Sequence, residues 1–390
     1  MKNIFFKLFT FLLFTLSANS SEFDVKAFGT LGGVYNDNSN YIYRKDIFQK
    51  DGSSDDLSFK TDTVVGLQTT LHVNENFSAL LQGIANNDYD DKVRAKIDWG
   101  YLKYDSNENI TLKFGRIRTP YYKNSENLNI GYSNLMIRES VEVYGQVPFS
   151  SYNGVEITYS NIIGTYFYTI QGGYGREELT VPNHSLNQEA NVKIDNLYTL
   201  NLTFGTTALQ ARATYINADI TASNQSLNQL FAGLRAFGLD ELADQYEHKN
   251  KQSEYLGFGI FLDYKNILFS SEYGQRRLNS FSRDLHGYYA TIGYSFHKLI
   301  PFVTYAKSEM DNVTYGANTV SPMLNNLLRS QNTAQSSKIV GIKYYLNENF
   351  DIKFQYEYII PKGDFGSYHL SSLQKPQELN VFSFALDFVF

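Results

Sequence analysis

The sequence of 390 residues contains no cysteine and only seven prolines. Secreted soluble proteins often rely on disulfides, so the lack of cysteine argues against that class. Beyond the first twenty residues no apolar run approaches the roughly 18 residues of a transmembrane helix, so none is expected. The formal net charge of −6 argues against nucleic acid as a partner, because a phosphate backbone attracts basic surfaces.

Aromatic residues are abundant instead, with 31 tyrosines and 29 phenylalanines. Hydrophobic residues nevertheless make up only 43% of the chain. Many aromatic residues at modest overall hydrophobicity fit a transmembrane β-barrel, because only alternate residues of each strand face lipid. Composition therefore favours an all-β membrane protein.

The first twenty residues have the three parts of a secretory signal peptide. Lys2 and Lys7 give a positive start, residues 8–16 are apolar, and small residues follow at Ala18 and Ser20. A membrane anchor is the alternative, but an apolar core of about 12 residues is shorter than the ~20 that span a bilayer. We expect residues 1–20 to be a signal peptide that is cleaved after Ser20.

Alternation of polar and apolar residues identifies the strands. The clearest strand has one polar face, formed by Lys92, Arg94, Lys96 and Asp98. Its other face is apolar and carries Val93, Ala95, Ile97, Trp99 and Tyr101. Residues 350–360 and 382–390 alternate in the same way. The apolar faces suit a strand of nine to eleven residues that crosses a bilayer, and Trp99 and Tyr101 are expected in the aromatic belt at its surface.

Sixteen segments fit such strands, and the connections between them alternate between short and long. The long connections are residues 36–58, 87–90, 117–151, 175–191, 218–252, 277–283, 308–335 and 361–377. Seven short turns and eight long loops fit an even-stranded barrel with both ends on the periplasmic side. The sequence predicts an antiparallel up-and-down transmembrane barrel of about 16 strands over residues 21–390, with a partly helical extracellular loop at 218–252.

The chain resembles bacterial outer-membrane porins. The resemblance rests on the signal peptide, the rhythm of short and long connections, the terminal strand Glu378–Phe390 and the long loop 117–151. It implies an outer-membrane location, contact with lipid, a homotrimer, and recognition by the barrel-assembly machinery through Phe390. The Pro-Glu-Phe-Gly stretch of general porins is missing from this loop, so their constriction cannot be transferred residue by residue.

Residues 117–151 are too apolar for a disordered loop and must pack against a surface. In the porins that the chain resembles, the third long loop folds inward and narrows the lumen, and we expect the same here. An outward loop that packs on its neighbours or on another protomer is the alternative.

Charged residues on the predicted lumen face are the candidate site residues. The basic ladder Lys92, Arg94 and Lys96 is expected beside Lys113, and loop 117–151 adds further charges. These are Arg118, Lys123, Glu126, Arg138, Glu139 and Glu142. Loop acids opposite the basic wall would create a transverse field and a weak preference for anions. Alternatively, the charges only keep the lumen hydrated.

The expected function is a water-filled channel for passive diffusion of small hydrophilic solutes and ions, without cofactor or metal. No nucleotide-binding glycine loop is present. A substrate-specific channel for an anionic or small polar solute is the main alternative. A barrel enzyme is disfavoured because the six histidines lie in no catalytic motif. An energy-coupled receptor would need a plug domain before the strand that begins near Glu22.

Overall fold

A computed structural model provides the structure of the chain. It describes residues 22–39, 41–46, 48–49, 52–88, 92–106, 109–147, 149–183, 188–282, 284–310, 319–362, 369–371 and 377–390. The expected signal peptide, residues 1–20, lies outside the described residues. Most of residues 21–390, the expected barrel, are among the described residues.

Sixteen antiparallel strands form one closed barrel, which confirms the predicted fold class. The strands are β1 (Glu22–Asn36), β3 (Val64–His72), β4 (Phe77–Asn87), β5 (Val93–Asp105), β6 (Ile110–Arg118), β7 (Ser151–Ile163), β8 (Tyr166–Asn183), β9 (Gln188–Gly205), β10 (Leu209–Ser223), β11 (Lys251–Tyr264), β12 (Ile267–Leu278), β13 (Leu285–Tyr294), β14 (Leu299–Met310), β15 (Gln335–Tyr345), β16 (Phe350–Pro361) and β18 (Leu379–Val389). Each strand pairs with its neighbours along the chain, and β18 closes against β1. Two short strands, β2 (Tyr41–Tyr43) and β17 (His369–Ser371), form a separate two-stranded sheet.

Apolar side chains cover the outside of the barrel and polar ones line the inside. On β16 and β18, Phe354 and Phe382 are 58% and 50% exposed, whereas Lys353 and Asp387 are 1% exposed. A water-soluble barrel would show the opposite distribution, because exposed apolar area is unfavourable in water. An apolar outer face around a polar interior is the pattern of a transmembrane barrel.

Tight turns join the strands at one end of the barrel. In the β11–β12 hairpin, Lys265 and Asn266 both have positive φ, at 47° and 70°. Two such residues in sequence match the twist of paired strands, which is why this connection needs no further residues. The β1–β18 seam ends at the same side, where Ala27 and Phe390 exchange backbone hydrogen bonds of 2.8 and 2.9 Å.

The opposite end carries the long connections and the helices. Helix α1 (Val141–Tyr144) and a 3₁₀ turn (Gly131–Ser133) lie in loop 117–151, and α2 (Gln225–Ala236), α3 (Asp240–Tyr246) and α4 (Pro322–Ser330) follow. The side chain of Asn224 caps α2 by accepting a hydrogen bond from the backbone N–H of Leu227. Helices α2 and α3 lie within segment 218–252, where helix was expected.

The apolar faces of α2, α3 and α4 share one buried cluster with Phe281. These helices therefore support each other across the mouth of the barrel. Among the described residues, no helix is long and apolar enough to cross a membrane.

A β-bulge corrects one expectation on β5. Gln82 of β4 pairs with Trp99 and Gly83 pairs with Ile97, so Asp98 has no partner in the register. An extra residue in one strand reverses the inward and outward alternation beyond it. Trp99 and Tyr101, both expected in the lipid-facing belt, consequently face the inside of the barrel. Trp99 is only 6% exposed, and the ring of Tyr101 lies 5.2 Å from the ammonium of Lys113.

Candidate functional site

The long loop between β6 and β7, residues 119–150, contacts inward-facing side chains on widely separated strands. Its 3₁₀ turn contacts β1 and β18, and α1 contacts β12, β13 and β14. The strand residues that meet the loop, such as Lys353 and Glu272, are buried and alternate with exposed apolar ones. The loop therefore lies within the ring of strands and across its interior.

Two lysines of the barrel wall hold one part of this loop. The ammonium group of Lys353 donates to the carbonyl oxygen of Gly131 at 2.6 Å, and that of Lys343 donates to the carbonyl oxygen of Asn134 at 3.1 Å. Each lysine also has a wall carboxylate: Asp387 lies 2.9 Å from Lys353, and Asp351 lies 3.2 Å from Lys343. Charge-assisted bonds to several loop carbonyls fix the backbone of this segment.

Arg138 attaches the loop through its own side chain. Its guanidinium forms ion pairs with Asp62 and with Glu357, the latter at 2.7 Å, and donates to the hydroxyl of Tyr43 at 2.7 Å. All three partners are buried. Asp62 and Tyr43 lie in the connection between β1 and β3, so Arg138 joins two connecting segments to the wall. Predicted as a channel-lining charge, it is instead a buried anchor.

Glu139 and Glu142 also differ from the expected layout, in which loop acids face the basic ladder. Glu139 accepts a hydrogen bond of 2.7 Å from the side-chain amide of Asn124, within the loop itself. Glu142 accepts hydrogen bonds from Gln335, at 2.8 Å, and Ser337 on β15. Burial raises the pKa of both carboxyl groups, that of Glu139 to about 7.

Aromatic packing holds the other part of the loop against β11 and β13. Tyr122 and Tyr144 stack with ring centroids 4.0 Å apart, and Tyr122 meets Tyr255 edge-on at 5.8 Å. Glu272 accepts hydrogen bonds of 2.8 Å from the hydroxyls of both Tyr144 and Tyr289. The rings bury apolar surface between the loop and the wall. The hydrogen bonds from Tyr144 and Tyr289 to Glu272 fix the orientation of the two side chains.

The basic ladder lies on the inward face of β5, as expected from the alternation. Arg94 and Lys96 stand opposite Asn86 and Ile84, which share the inward face of β4, and Lys92 immediately precedes the strand. All three basic residues are exposed. Their position next to the connection between β4 and β5 places them near the mouth, where the ammonium of Lys96 lies 3.4 Å from Asp88.

Lys113 does not lie beside the ladder. It pairs across the β5–β6 register with Lys103, seven residues from Lys96, because β6 runs antiparallel to β5. Seven residues of strand correspond to roughly 20 Å. Its ammonium lies 2.9 Å from Glu156 and 3.6 Å from Glu126, so it belongs to an acidic neighbourhood.

Arg118 ends β6 as a buried residue that is paired with Asp98 at the bulge. Lys123 holds its ammonium 4.5 Å from the ring centroid of Phe261, and its backbone N–H donates to Glu272 at 2.9 Å. Glu126 is the exposed member of the group, with 55% of its side chain accessible. Arg118, Lys123 and Glu126 thus meet in one region with Lys113. Glu139 lies within electrostatic reach of Lys123, whereas Arg138 and Glu142 lie elsewhere.

This region is a cavity of about 320 Å³ between the loop and the inner face of β6–β10. Its lining residues are Lys113, Arg118, Pro120, Tyr122, Lys123, Ser125, Glu126, Asn127, Thr158, Thr169, Gln171, Asn201, Thr203 and Arg212. The volume is in the range of small-molecule sites. The neutral residues of this wall were not among the predicted site residues, which were chosen for their charge. Their inward-facing positions on β7–β9 could have identified them.

Across the described ranges, no three His, Asp or Glu residues form a group that could hold a metal ion. Asp62 and Tyr43, which did not stand out in the sequence, are partners of Arg138.

Solved structures that share the architecture of this barrel include an outer-membrane channel and an anion-selective porin. DcaP of Acinetobacter baumannii superposes with a TM-score of 0.59 at 12% identity, over 96% of this chain and 99% of that one. Salmonella typhi OmpF, in a complex with daunomycin, gives 0.58 at 14% identity over 94% and 97%. An anion-selective porin of Comamonas acidovorans gives 0.57 at 10% identity over 95% and 100%.

At these identities the likeness concerns the fold. No protein-family model matches the chain, and no curated protein matches it either.

Proposed function

We propose that this protein is a porin of the bacterial outer membrane, a water-filled channel for the passive diffusion of small hydrophilic solutes and ions. The observation that carries the proposal is the closed sixteen-stranded barrel with apolar residues outside and charged residues inside. A barrel of this size is wide enough for an aqueous lumen. The architecture shared with the outer-membrane channel DcaP and with the anion-selective porin of Comamonas acidovorans supports the same function.

Loop 117–151 is the element that we propose narrows this channel. Support comes from its anchors on two sides of the interior: Lys353 and Glu357 on β16, and Glu272 on β12. Because the loop is fixed on both sides, it narrows the lumen permanently and does not act as a gate. The remaining passage would run along the inner face of β6–β10, where the cavity lies.

Further parts of the proposal follow from the resemblance to porins. Residues 1–20 would act as a signal peptide, Phe390 would be read by the barrel-assembly machinery, and three copies would associate in the outer membrane. The absence of enzymatic activity stays a prediction. Chemical crosslinking of the purified protein in detergent tests the trimer, since a monomer that conducts would contradict it.

Ion selectivity is proposed to be weak. The basic ladder Lys92, Arg94 and Lys96 at the mouth would favour anions slightly, and deeper charges are paired with acids. A reversal potential measured across a salt gradient gives the sign directly. Clear cation preference would contradict a role for the ladder in selectivity.

Single-channel recording of the refolded protein in planar bilayers tests the central proposal. We expect stepwise, ohmic conductance, and in liposome swelling we expect uptake of neutral sugars that falls smoothly with size. Liposomes with the same protein left unfolded serve as the control for leakage. A folded barrel that conducts no ions would exclude a porin, and uptake of one solute class to the exclusion of all others would favour a substrate-specific channel.

A further inference from the structure

The cavity between loop 117–151 and strands β6–β10 combines balanced charges with a neutral, hydrogen-bonding wall. Its four basic lining residues are Lys113, Arg118, Lys123 and Arg212. Their four strongest acidic neighbours are Glu126 and Glu156 beside Lys113, Asp98 beside Arg118, and Glu272 within electrostatic reach of Lys123 and Arg212. Glu139 and Asp263 interact more weakly with Lys123. The four strongest acidic neighbours therefore balance the four cations.

Each cation has a partner in the protein, and for Lys123 this partner is the ring of Phe261, whose centroid lies 4.5 Å from the ammonium. Lys113 lies 2.9 Å from Glu156, Arg118 is paired with Asp98, and Arg212 donates to the carbonyl oxygen of Pro120 at 2.8 Å. A charged solute that competed for Lys113 or Arg118 would leave Glu156 or Asp98 uncompensated in a partly buried site, which is unfavourable. The cavity consequently offers little net attraction to either an anion or a cation.

Neutral side chains dominate the remaining wall. Thr158 pairs across the β7–β8 register with Gln171, which pairs with Asn201 on β9. Thr169 pairs with Thr203 in the adjacent row. Two rows of hydroxyl and amide groups thus run side by side over three strands, at a strand spacing of about 4.8 Å.

Two members of these rows have unused hydrogen-bonding capacity. Within the part of the chain that the structure describes, neither the Thr158 hydroxyl nor the Gln171 amide forms a hydrogen bond with the protein, although both line the cavity. Together they offer donors and acceptors at directly paired positions. Vicinal hydroxyl groups, each both donor and acceptor, match such a surface, whereas a simple ion does not.

We propose that this cavity is a binding subsite for a small, neutral, polyhydroxylated solute of monosaccharide size, with Thr158 and Gln171 as specificity-determining residues. The inference rests on the proposed function, since the solute would reach the site through the channel. It goes further, because free diffusion through a wide pore requires no such site.

Three probes with one carbon skeleton and different charge test it: D-glucose, D-gluconate and D-glucosamine. Each is titrated against the single-channel current of the full chain, corrected for bulk conductivity, at a mildly acidic pH that keeps the amine protonated. We expect saturable block by glucose, with gluconate and glucosamine binding no more tightly. Binding of either charged probe roughly tenfold tighter than glucose would overturn the proposal, since tenfold corresponds to a full additional interaction.

The variant T158V/Q171M removes the two unused groups while nearly keeping their volume. We expect glucose affinity to fall about fivefold or more, because each neutral hydrogen bond contributes two- to tenfold. T69V, the same substitution on the outward face of β3, is the matched control and should leave the block unchanged. If the double variant does not conduct, the isosteric T158V alone is measured.

The outcomes separate the two proposals. A wild-type channel that conducts ions without saturable block by glucose would overturn the subsite and leave the porin intact. A folded barrel without ion conductance would overturn the porin. If glucose blocks a conducting T158V/Q171M channel as it blocks the wild type, neither residue contributes to glucose binding, and the inference is contradicted.

Discussion

The ammonium nitrogen of Lys353 lies 2.9 Å from the carboxylate of Asp387 on the next strand and 2.6 Å from the carbonyl oxygen of Gly131 in the long loop. One buried cation therefore joins two strands of the wall to the loop that crosses the interior. Lys353 therefore stabilises both the wall and the loop, and its removal should destabilise both.

Replacing Lys353 with methionine should release this part of the loop and destabilise the barrel. Loss of one partner of a buried ion pair costs about 3–5 kcal/mol, because Asp387 stays buried without its cation. We expect larger and noisier single-channel conductance and a lower urea midpoint of unfolding. K338M, on the exposed side of β15, is the matched control. Equal effects of the two substitutions would show that Lys353 does not hold the loop.

Replacing Arg138 with methionine should detach the loop from the first long connection. Asp62 and Glu357 would lose their guanidinium partner, again at about 3–5 kcal/mol for a buried pair. We expect faster proteolysis within residues 117–151 and increased conductance. R235M, which removes an arginine paired with Asp244 on the outer helices at 35% exposure, should change neither. A protease-resistant loop in R138M would argue that other contacts suffice.

Current fluctuations should depend on pH through Glu139. Its pKa is raised from 4.5 to about 7 by burial, so its proton is bound more tightly in the docked loop than in an unfolded chain. Loop stability is therefore full below the ordinary pKa and falls as pH rises through about 7. Glu272, Lys353 and Lys123 are the charged groups that face it.

We expect channel noise in the wild type to increase from about pH 4.5 and to level off above about pH 7, because the docked and released loops differ in bound protons between these two pKa values. E139Q keeps an acceptor for Asn124 and has no proton to lose, so its noise should be constant over this range. The same pH dependence in E139Q would assign the effect to another group.

The single tryptophan gives a test of the bulge on β5. Trp99 faces the interior and lies 5.9 Å from the guanidinium of Arg118. Its fluorescence should not be quenched by lipids brominated along the acyl chain, because the ring does not touch them. The tyrosines provide no interfering signal when excitation is selective for tryptophan. Strong quenching by brominated lipid would show that Trp99 faces the lipid, and would contradict the bulge.

Regular alternation made most of the barrel predictable from sequence. On β16, the outward Phe354 and the inward Lys353 follow directly from period two. Trp99 was misplaced because a bulge leaves no mark in a single sequence. The additional residue at Asp98 reverses which side chains of β5 face inward. The sequence of the strand gives no indication of this reversal.

The contacts of the loop were less predictable. Arg138 is 76 residues from Asp62 and 219 residues from Glu357 in sequence, and no local pattern links them. Lys113 was misplaced because the antiparallel register, and not proximity in sequence, decides which residues are neighbours. The neutral row through Gln171 was overlooked because charge is conspicuous in a sequence, whereas an unused amide is visible only in three dimensions.

The seam between β1 and β18 has a consequence for biogenesis. The residues that close the cylinder, around Gly29 and Phe388, are separated by nearly the whole polypeptide. Until β18 has been synthesised, the sheet has two open edges, each a template for pairing with another chain. A ribosome-bound or truncated intermediate is thus an aggregation hazard, and ring closure must be a late, long-range step with a high loop-closure entropy.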